Sequence, residues 1–396
     1  MKRLTVLLAP IPLALATVAA APATEHVRQT LLTEFVTEGA ALGDVNGDAK
    51  TDFVVGPFWF EGPAFENRHR YRPGEPVDIN GYAHDSFLAF VIDVDGDRRN
   101  DILQVSHQPP FHLDLFLQPA TPSEDWPRHR VVDGFGCESP AMADLTGDGR
   151  PELIGIRDAR WGFFAADPAK PTAPWSFHAV SGERALHHYS HGLGIGDVNG
   201  DGRPDLVAKD AWFEAPADPL TGPWPCHDHK FSEEGGAQML VFDVDGDGDN
   251  DVVTSLSAHG YGLAWFENRK TDGAISLTRH EIMPATPPPG GRDDVFSQLH
   301  ALGTGDFNGD GLTDFVTGKR FWAHNGNDPG AREPAVLYWY ELQRAPDGAR
   351  FIPHRIDSDS GVGCQLAVAD LNDDGCDDVA IGNKKGAFVF RSRRGQ

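Results

Sequence analysis

The sequence predicts an all-β, seven-bladed β-propeller on three observations: seven Asp-rich nonapeptides recur along the chain, a β-branched apolar run comes after each, and Gly and Pro supply 44 and 30 of the 396 residues. Gly and Pro at that density punctuate many short strands. No stretch shows the 3.6-residue periodicity of an amphipathic helix. With 40% hydrophobic residues, the chain can still build a sizeable core.

The nonapeptides are DVNGDAKTD (44–52), DVDGDRRND (93–101), DLTGDGRPE (144–152), DVNGDGRPD (197–205), DVDGDGDND (243–251), DFNGDGLTD (306–314) and DLNDDGCDD (370–378). Together they hold 26 acidic residues. Crowding carboxylates in this way costs Coulomb energy unless a cation sits among them, and Ca²⁺ takes oxygen ligands in this pattern. Positions 1, 3, 5 and 9 supply side-chain oxygens. In the first two loops these are Asp44, Asn46, Asp48 and Asp52, then Asp93, Asp95, Asp97 and Asp101. The third offers Asp144, Asp148 and Glu152 and is the weakest site, because Thr146 stands at position 3. The fourth and fifth offer Asp197, Asn199, Asp201 and Asp205, then Asp243, Asp245, Asp247 and Asp251. The last two offer Asp306, Asn308, Asp310 and Asp314, then Asp370, Asn372, Asp374 and Asp378. Position 7 varies freely (Lys50, Arg99, Leu312, Cys376), as expected where only a backbone carbonyl binds. An EF-hand would need a bidentate Glu at position 12 and flanking helices.

The segment after each loop reads as a strand (DFVVG, DILQV, ELIGI, DLVAK, DVVTS, DFVTG, DVAIG), so each loop joins two strands. Loop starts lie 49, 51, 53, 46, 63 and 64 residues apart, the length of a four-stranded blade. A third strand often carries Trp-Phe-Glu (59–61, 212–214, 265–267, with Trp339-Tyr340-Glu341 similar) and a fourth carries His (His129, His178, His280, His354). These read as packing. The last unit is one strand short, and residues 26–33 (HVRQTLLT) have fourth-strand character, so the N-terminal strand is expected to close the ring and remove exposed strand edges.

Lys2 and Arg3, the apolar run 4–20 and Ala21-Pro22-Ala23 read as a secretory signal peptide over residues 1–23, leaving 24–396 as a single propeller, secreted to the cell exterior or a periplasm and not embedded in a membrane. Export permits a Cys364–Cys376 bridge, and four free thiols fit the spacing equally. A net charge of −25 argues against nucleic acid as a partner, and seven divalent ions would bring it to about −11.

The repeats resemble the FG-GAP (VCBS-type) repeats of integrin alpha chains and of many bacterial secreted proteins, over essentially the whole mature chain. That resemblance implies a fold shared by adhesion, lectin-like binding and catalysis. Residues 212–216 (WFEAP), 297–311 (SQLHALGTGDFNGDG) and 318–324 (GKRFWAH) are also similar to the propeller domain of aldos-2-ulose dehydratases. This second resemblance implies elimination of water from a keto-sugar, without the cupin domains that accompany the fungal propeller.

Aligning the units on their loops brings Glu38, Phe87, Glu138, His191, Ala237, His300 and Cys364 to one position, six residues before each loop. Equivalent positions face one place, the channel end opposite the loops. His107, Arg157, Lys209, His259, Lys319 and His324 come after the second strands on the same face. Glu138, His191 and His300 make a two-His, one-carboxylate set suited to Zn²⁺ or another divalent ion. His107 or His259 would take a proton, and Lys209, Lys319 and Arg157 would stabilise an enolate. The expected activity is that of a carbon–oxygen lyase performing β-elimination on a keto-sugar or uronide. A calcium-stabilised propeller that only binds carbohydrate or protein is the alternative.

Overall fold

The computed structural model describes residues 24–394. The signal-peptide expectation falls on 1–23, outside the described residues. Twenty-eight strands and two short 3₁₀ turns, His84–Ser86 and Ala323–Gly326, make up the regular structure. The strands form five four-stranded sheets and one eight-stranded sheet in a propeller-like arrangement. Within a sheet the chain runs as an antiparallel meander, for example Gly136–Ala143, Glu152–Arg157, Arg160–Ala165 and Ser176–Ala179. The eight-stranded sheet is two such meanders joined by a short parallel contact, Leu193 with Gln238 and Gly194 with Met239.

Each Asp loop connects the first two strands of a meander, as the apolar runs after the loops require. Glu25–Leu32 pairs antiparallel with Gly386–Arg393, from Glu25 opposite Arg393 to Leu32 opposite Ala387, and completes the four-stranded sheet of the last unit.

First strands of successive sheets lie side by side: Ala41–Gly43 against Leu88–Ile92, Gly136–Ala143 against Leu193–Gly196, and then Gln238–Phe242, Leu302–Gly305 and Leu366–Ala369 in turn, the last lying against Ala41–Gly43. Crowding there selects small residues opposite large ones. A Cβ on Gly43 would come within 2.8 Å of Val91 Cβ, and one on Gly196 within 2.5 Å of Val241 Cβ. Side-chain amides stitch the inner strands. Gln365 donates to Ala89 O (2.9 Å) and accepts from Ala89 N–H (3.2 Å), while Gln238 donates to Cys364 O (3.1 Å) and accepts from Leu302 N–H (3.0 Å).

The outer strands repeat one packing device in four meanders. Trp59, Trp212, Trp265 and Trp339 stack on His69, His227, His280 and His354 at 4.0–4.5 Å between ring centroids. Each of those histidines bonds Glu61, Glu214, Glu267 or Glu341 at 2.7–3.0 Å. The acid two residues after the Trp thus fixes the ring that covers it. His178 stacks instead on Phe163, 5.1 Å away. All four cysteines are free, and among the described residues no helix is long and apolar enough to cross a membrane.

Candidate functional site

At each Asp loop the carboxylates serve the loop's own backbone. In the fourth, Asp197 Oδ1 accepts the N–H of Gly200 (2.7 Å) and Asp201 (3.0 Å), and Oδ2 that of Gly202 (2.7 Å). The position-9 acid is buried and ties the loop to the segment that follows the third strand: Asp205 accepts Val198 N–H (2.9 Å) and Ala215 N–H (2.8 Å). Asp52, Asp101, Asp251, Asp314 and Asp378 repeat this with their own loops and with N–H groups on or just beyond their third strands. Glu152 differs, as its sequence suggested; it bonds Leu145 N–H and the Thr146 hydroxyl, both at 2.8 Å. Burial, aided by neighbouring loop acids, pushes the carboxyls of Asp101 and Asp251 up to about 7 and that of Asp314 to about 8. Three loops bring three carboxylates within 4.8 Å of one another: Asp93, Asp95 and Asp101; Asp144, Asp148 and Glu152; Asp243, Asp245 and Asp251.

At the other end of the inner strands lies a cavity of about 480 Å³, lined in part by His107, Glu138, His191, Lys209, His259, Arg320 and His324. The residues six before each loop converge as their equivalence requires. His191 Nε2 is 3.8 Å from Glu138 Oε2, and Cys364 Sγ approaches the same oxygen at 3.7 Å. The His191 and His300 rings meet edge to face at 5.3 Å. Phe87 stacks on His107 at 4.3 Å.

Three imidazoles cluster here. His191, His259 and His300 each bring a ring nitrogen within 4.8 Å of the others, and His191 Nε2 lies 3.2 Å from His259 Nε2. The outer nitrogens of two of them face acceptors: His259 Nδ1 lies 3.2 Å from Asp328 Oδ2, and His300 Nδ1 lies 3.3 Å from Gln298 O. An Nδ1–H donated to those oxygens leaves each Nε2 with a free lone pair. His300 Nε2 is buried without a partner. Burial holds the His191 imidazole down to about 4 and His300 well below its ordinary value, so both are neutral. His107 is also neutral, pushed down to about 4 by burial. Its Nε2 lies 3.0 Å from Cys137 O, and its Nδ1 is buried and unpartnered.

Of the six residues expected after the second strands, His107, Lys209, His259 and His324 line the cavity. Arg157 stands apart, donating to Asp133 O at 3.0 Å with its guanidinium over Phe164. Lys319 is fully buried, bonded to Gly330 O and 3.6 Å from Glu333, away from the cavity lining. Its neighbour Arg320, absent from the sequence-based set, occupies the site instead. It donates to Glu38 (3.2 Å) and Glu138 (3.5 Å). Burial opposes ionisation of Glu138, but His191 and the permanent charge of Arg320 hold it below its usual range. Asp328 was also missed; its second oxygen meets His324 Nδ1 at 3.1 Å.

Five non-glycine residues with positive φ lie at or beside this site. Cys137, beside Glu138, has φ 127°, and Gln298, which holds His300, has φ 64°; Trp322, His324 and Asn325 also have positive φ. Non-glycine residues accept such angles only where the surroundings over-determine them, and functional sites are where they gather.

A model of the FG-GAP-like repeat matches residues 243–317. No curated protein matches the chain in sequence. Similar solved structures include an Agrocybe aegerita lectin that recognises non-reducing terminal N-acetylglucosamine, at 16% identity and a TM-score of 0.35 over 93% of this chain and 80% of that one. Another is the rhamnogalacturonan lyase YesW, at 15% identity and a TM-score of 0.42 over 94% and 74%.

Proposed function

We propose that the chain is a carbohydrate-active carbon–oxygen lyase whose site is the inner cavity, with Zn²⁺ or a similar divalent ion held by His191, His259 and His300. The observation that carries this reading is the approach of three imidazoles, two of them turned by Asp328 and Gln298 so that their free nitrogens face inward. Three histidines and an open position suit catalytic zinc, and acceptors behind the rings are the usual support. His259 therefore takes the place expected for Glu138, which Arg320 holds as a fixed negative charge beside the cluster. A bound ion would polarise a ketone or carboxylate and acidify the adjacent C–H bond. His107, which lines the cavity and whose Nδ1 has no hydrogen-bond partner, takes that proton. Lys209 stabilises the developing enolate, and Tyr189, an exposed residue of the cavity lining, protonates the departing oxygen.

The same reading covers the whole chain. The eight-stranded sheet counts as two blades, since only a two-residue parallel contact joins its halves, and the ring of seven is closed by Glu25–Leu32. Each Asp loop takes Ca²⁺ through positions 1, 3, 5 and 9, supported by the three loops whose carboxylates already approach within 4.8 Å. Residues 1–23 direct export.

The test pairs metal analysis with turnover. Wild type should retain one zinc equivalent in excess calcium, and His191→Ala with His300→Gln should lose both that equivalent and elimination. Full turnover by the double variant would place the chemistry elsewhere. Sugar binding without turnover by wild type would make the protein a binding module.

A further inference from the structure

A second cavity of about 690 Å³ lies beside the first, and Glu234 and His259 line both. The wall between them is the loop joining strands Asp251–Ser255 and Leu263–Thr271. Within it, His259 reaches the inner cavity, while Tyr261, two residues on, lines only the outer. Each volume falls in the range of roughly 300–1,000 Å³ that holds a small organic ligand. A monosaccharide needs only one of them.

The charges lining the two spaces are informative. Lys230 pairs with Glu233 at 2.6 Å, and Arg320 is held by Glu38 and Glu138. Among the described residues, Lys209 in the inner cavity and Arg279 in the outer pair with no carboxylate, whereas every other lysine or arginine lining the two spaces does. One unpaired cation in each space suits a ligand that carries one carboxylate per unit. An Arg fork also matches a carboxylate in two hydrogen bonds. Tyr261, whose hydroxyl reaches Glu333 at 3.3 Å, offers an aromatic surface for the apolar face of a sugar ring.

We infer that the two cavities form one groove for an acidic oligosaccharide, with successive uronate residues on Lys209 and Arg279 and the scissile bond at the histidine cluster. The inference rests on the elimination reading for its chemistry and narrows it to a uronide. The hydrogen α to the inner carboxylate passes to His107 Nδ1 and its electron pair becomes the new C=C bond. The β C–O bond breaks with its own pair, and the outgoing sugar oxygen takes its proton from Tyr189.

Calorimetric titration of the zinc-loaded protein with galacturonate and its oligomers of two to four residues tests the groove independently of turnover. Affinity should rise at least tenfold from one residue to three. Arg279→Ala should erase that rise at an unchanged melting temperature, with Arg279→Lys keeping part of it. Affinity independent of length, or equal affinity for uncharged oligosaccharides, would overturn the inference. Length-dependent binding with no unsaturated product would keep the groove and remove the elimination reading. Elimination of a monomeric keto-sugar as efficiently as of the oligomers would do the reverse.

Discussion

Asp205 Oδ2 accepts the backbone N–H of Val198 at 2.9 Å from a fully buried position, while its other oxygen takes Ala215 N–H just beyond the third strand. One carboxylate therefore ties an Asp loop to the segment that follows the third strand. Its loop neighbour Asp201 is exposed.

These two acids should separate by calcium. Asp205→Ala leaves two buried N–H groups unsatisfied, at about 1–3 kcal/mol each, and should destabilise the protein with or without chelator. Asp201→Ala should lower stability only in calcium, where ligand-linked stabilisation is lost. Denaturant unfolding in excess Ca²⁺ and in chelator reads both, and equal behaviour of the two variants in the two conditions would contradict the assignment.

The pairing of Glu25–Leu32 with Gly386–Arg393 covers an edge that would otherwise be open. Deleting residues 24–34 should lower the melting temperature and promote self-association, because an unpaired edge strand templates pairing with another chain. Size-exclusion chromatography with thermal unfolding would show a stable monomer if this strand contributes nothing.

His26, on the same strand, makes this pairing sensitive to acid. Burial, with His354 nearby, holds its imidazole down to about 4; its Nδ1 meets Ser392 Oγ at 3.2 Å and its Nε2 has no partner. The unfolded chain takes a proton near 6.5, so His26 contributes its full stability above that pH and loses it as pH falls toward 4. Between pH 7.5 and 5 the loss should be about 2 kcal/mol. His26→Gln should flatten the profile by that amount in denaturant titrations at fixed calcium; an unchanged slope would show that His26 is not the source.

The sequence carried the strand order, the Asp loops and the set of residues six before each loop, because all are set by short-range register. A nonapeptide turn fixes its own geometry, and one offset from it reaches the same point in every unit. His259 and Asp328 were harder to assign, because they sit on connections of irregular length. Arg320 was missed for a simpler reason. Consecutive residues after a strand point to opposite sides, and nothing in Lys319-Arg320 says which turns inward. The structure sends Lys319 to Gly330 and Arg320 to Glu38.

His107 gives the sharpest test of chemistry by substitution. If its free Nδ1 removes the proton, His107→Gln should lower kcat by about 10²–10⁴-fold, the usual contribution of a general base, with little change in KM. A fall in kcat/KM carried by KM alone would make it a binding residue.

The most direct measurement is ultraviolet absorbance on mixing the zinc-loaded protein with an oligogalacturonate, against the same protein stripped of zinc and kept in calcium. The account predicts steady growth of the conjugated product's absorbance in the first sample and none in the second, at closely similar melting temperatures. Equal product formation in both would contradict a metal held by His191, His259 and His300 as the agent of elimination.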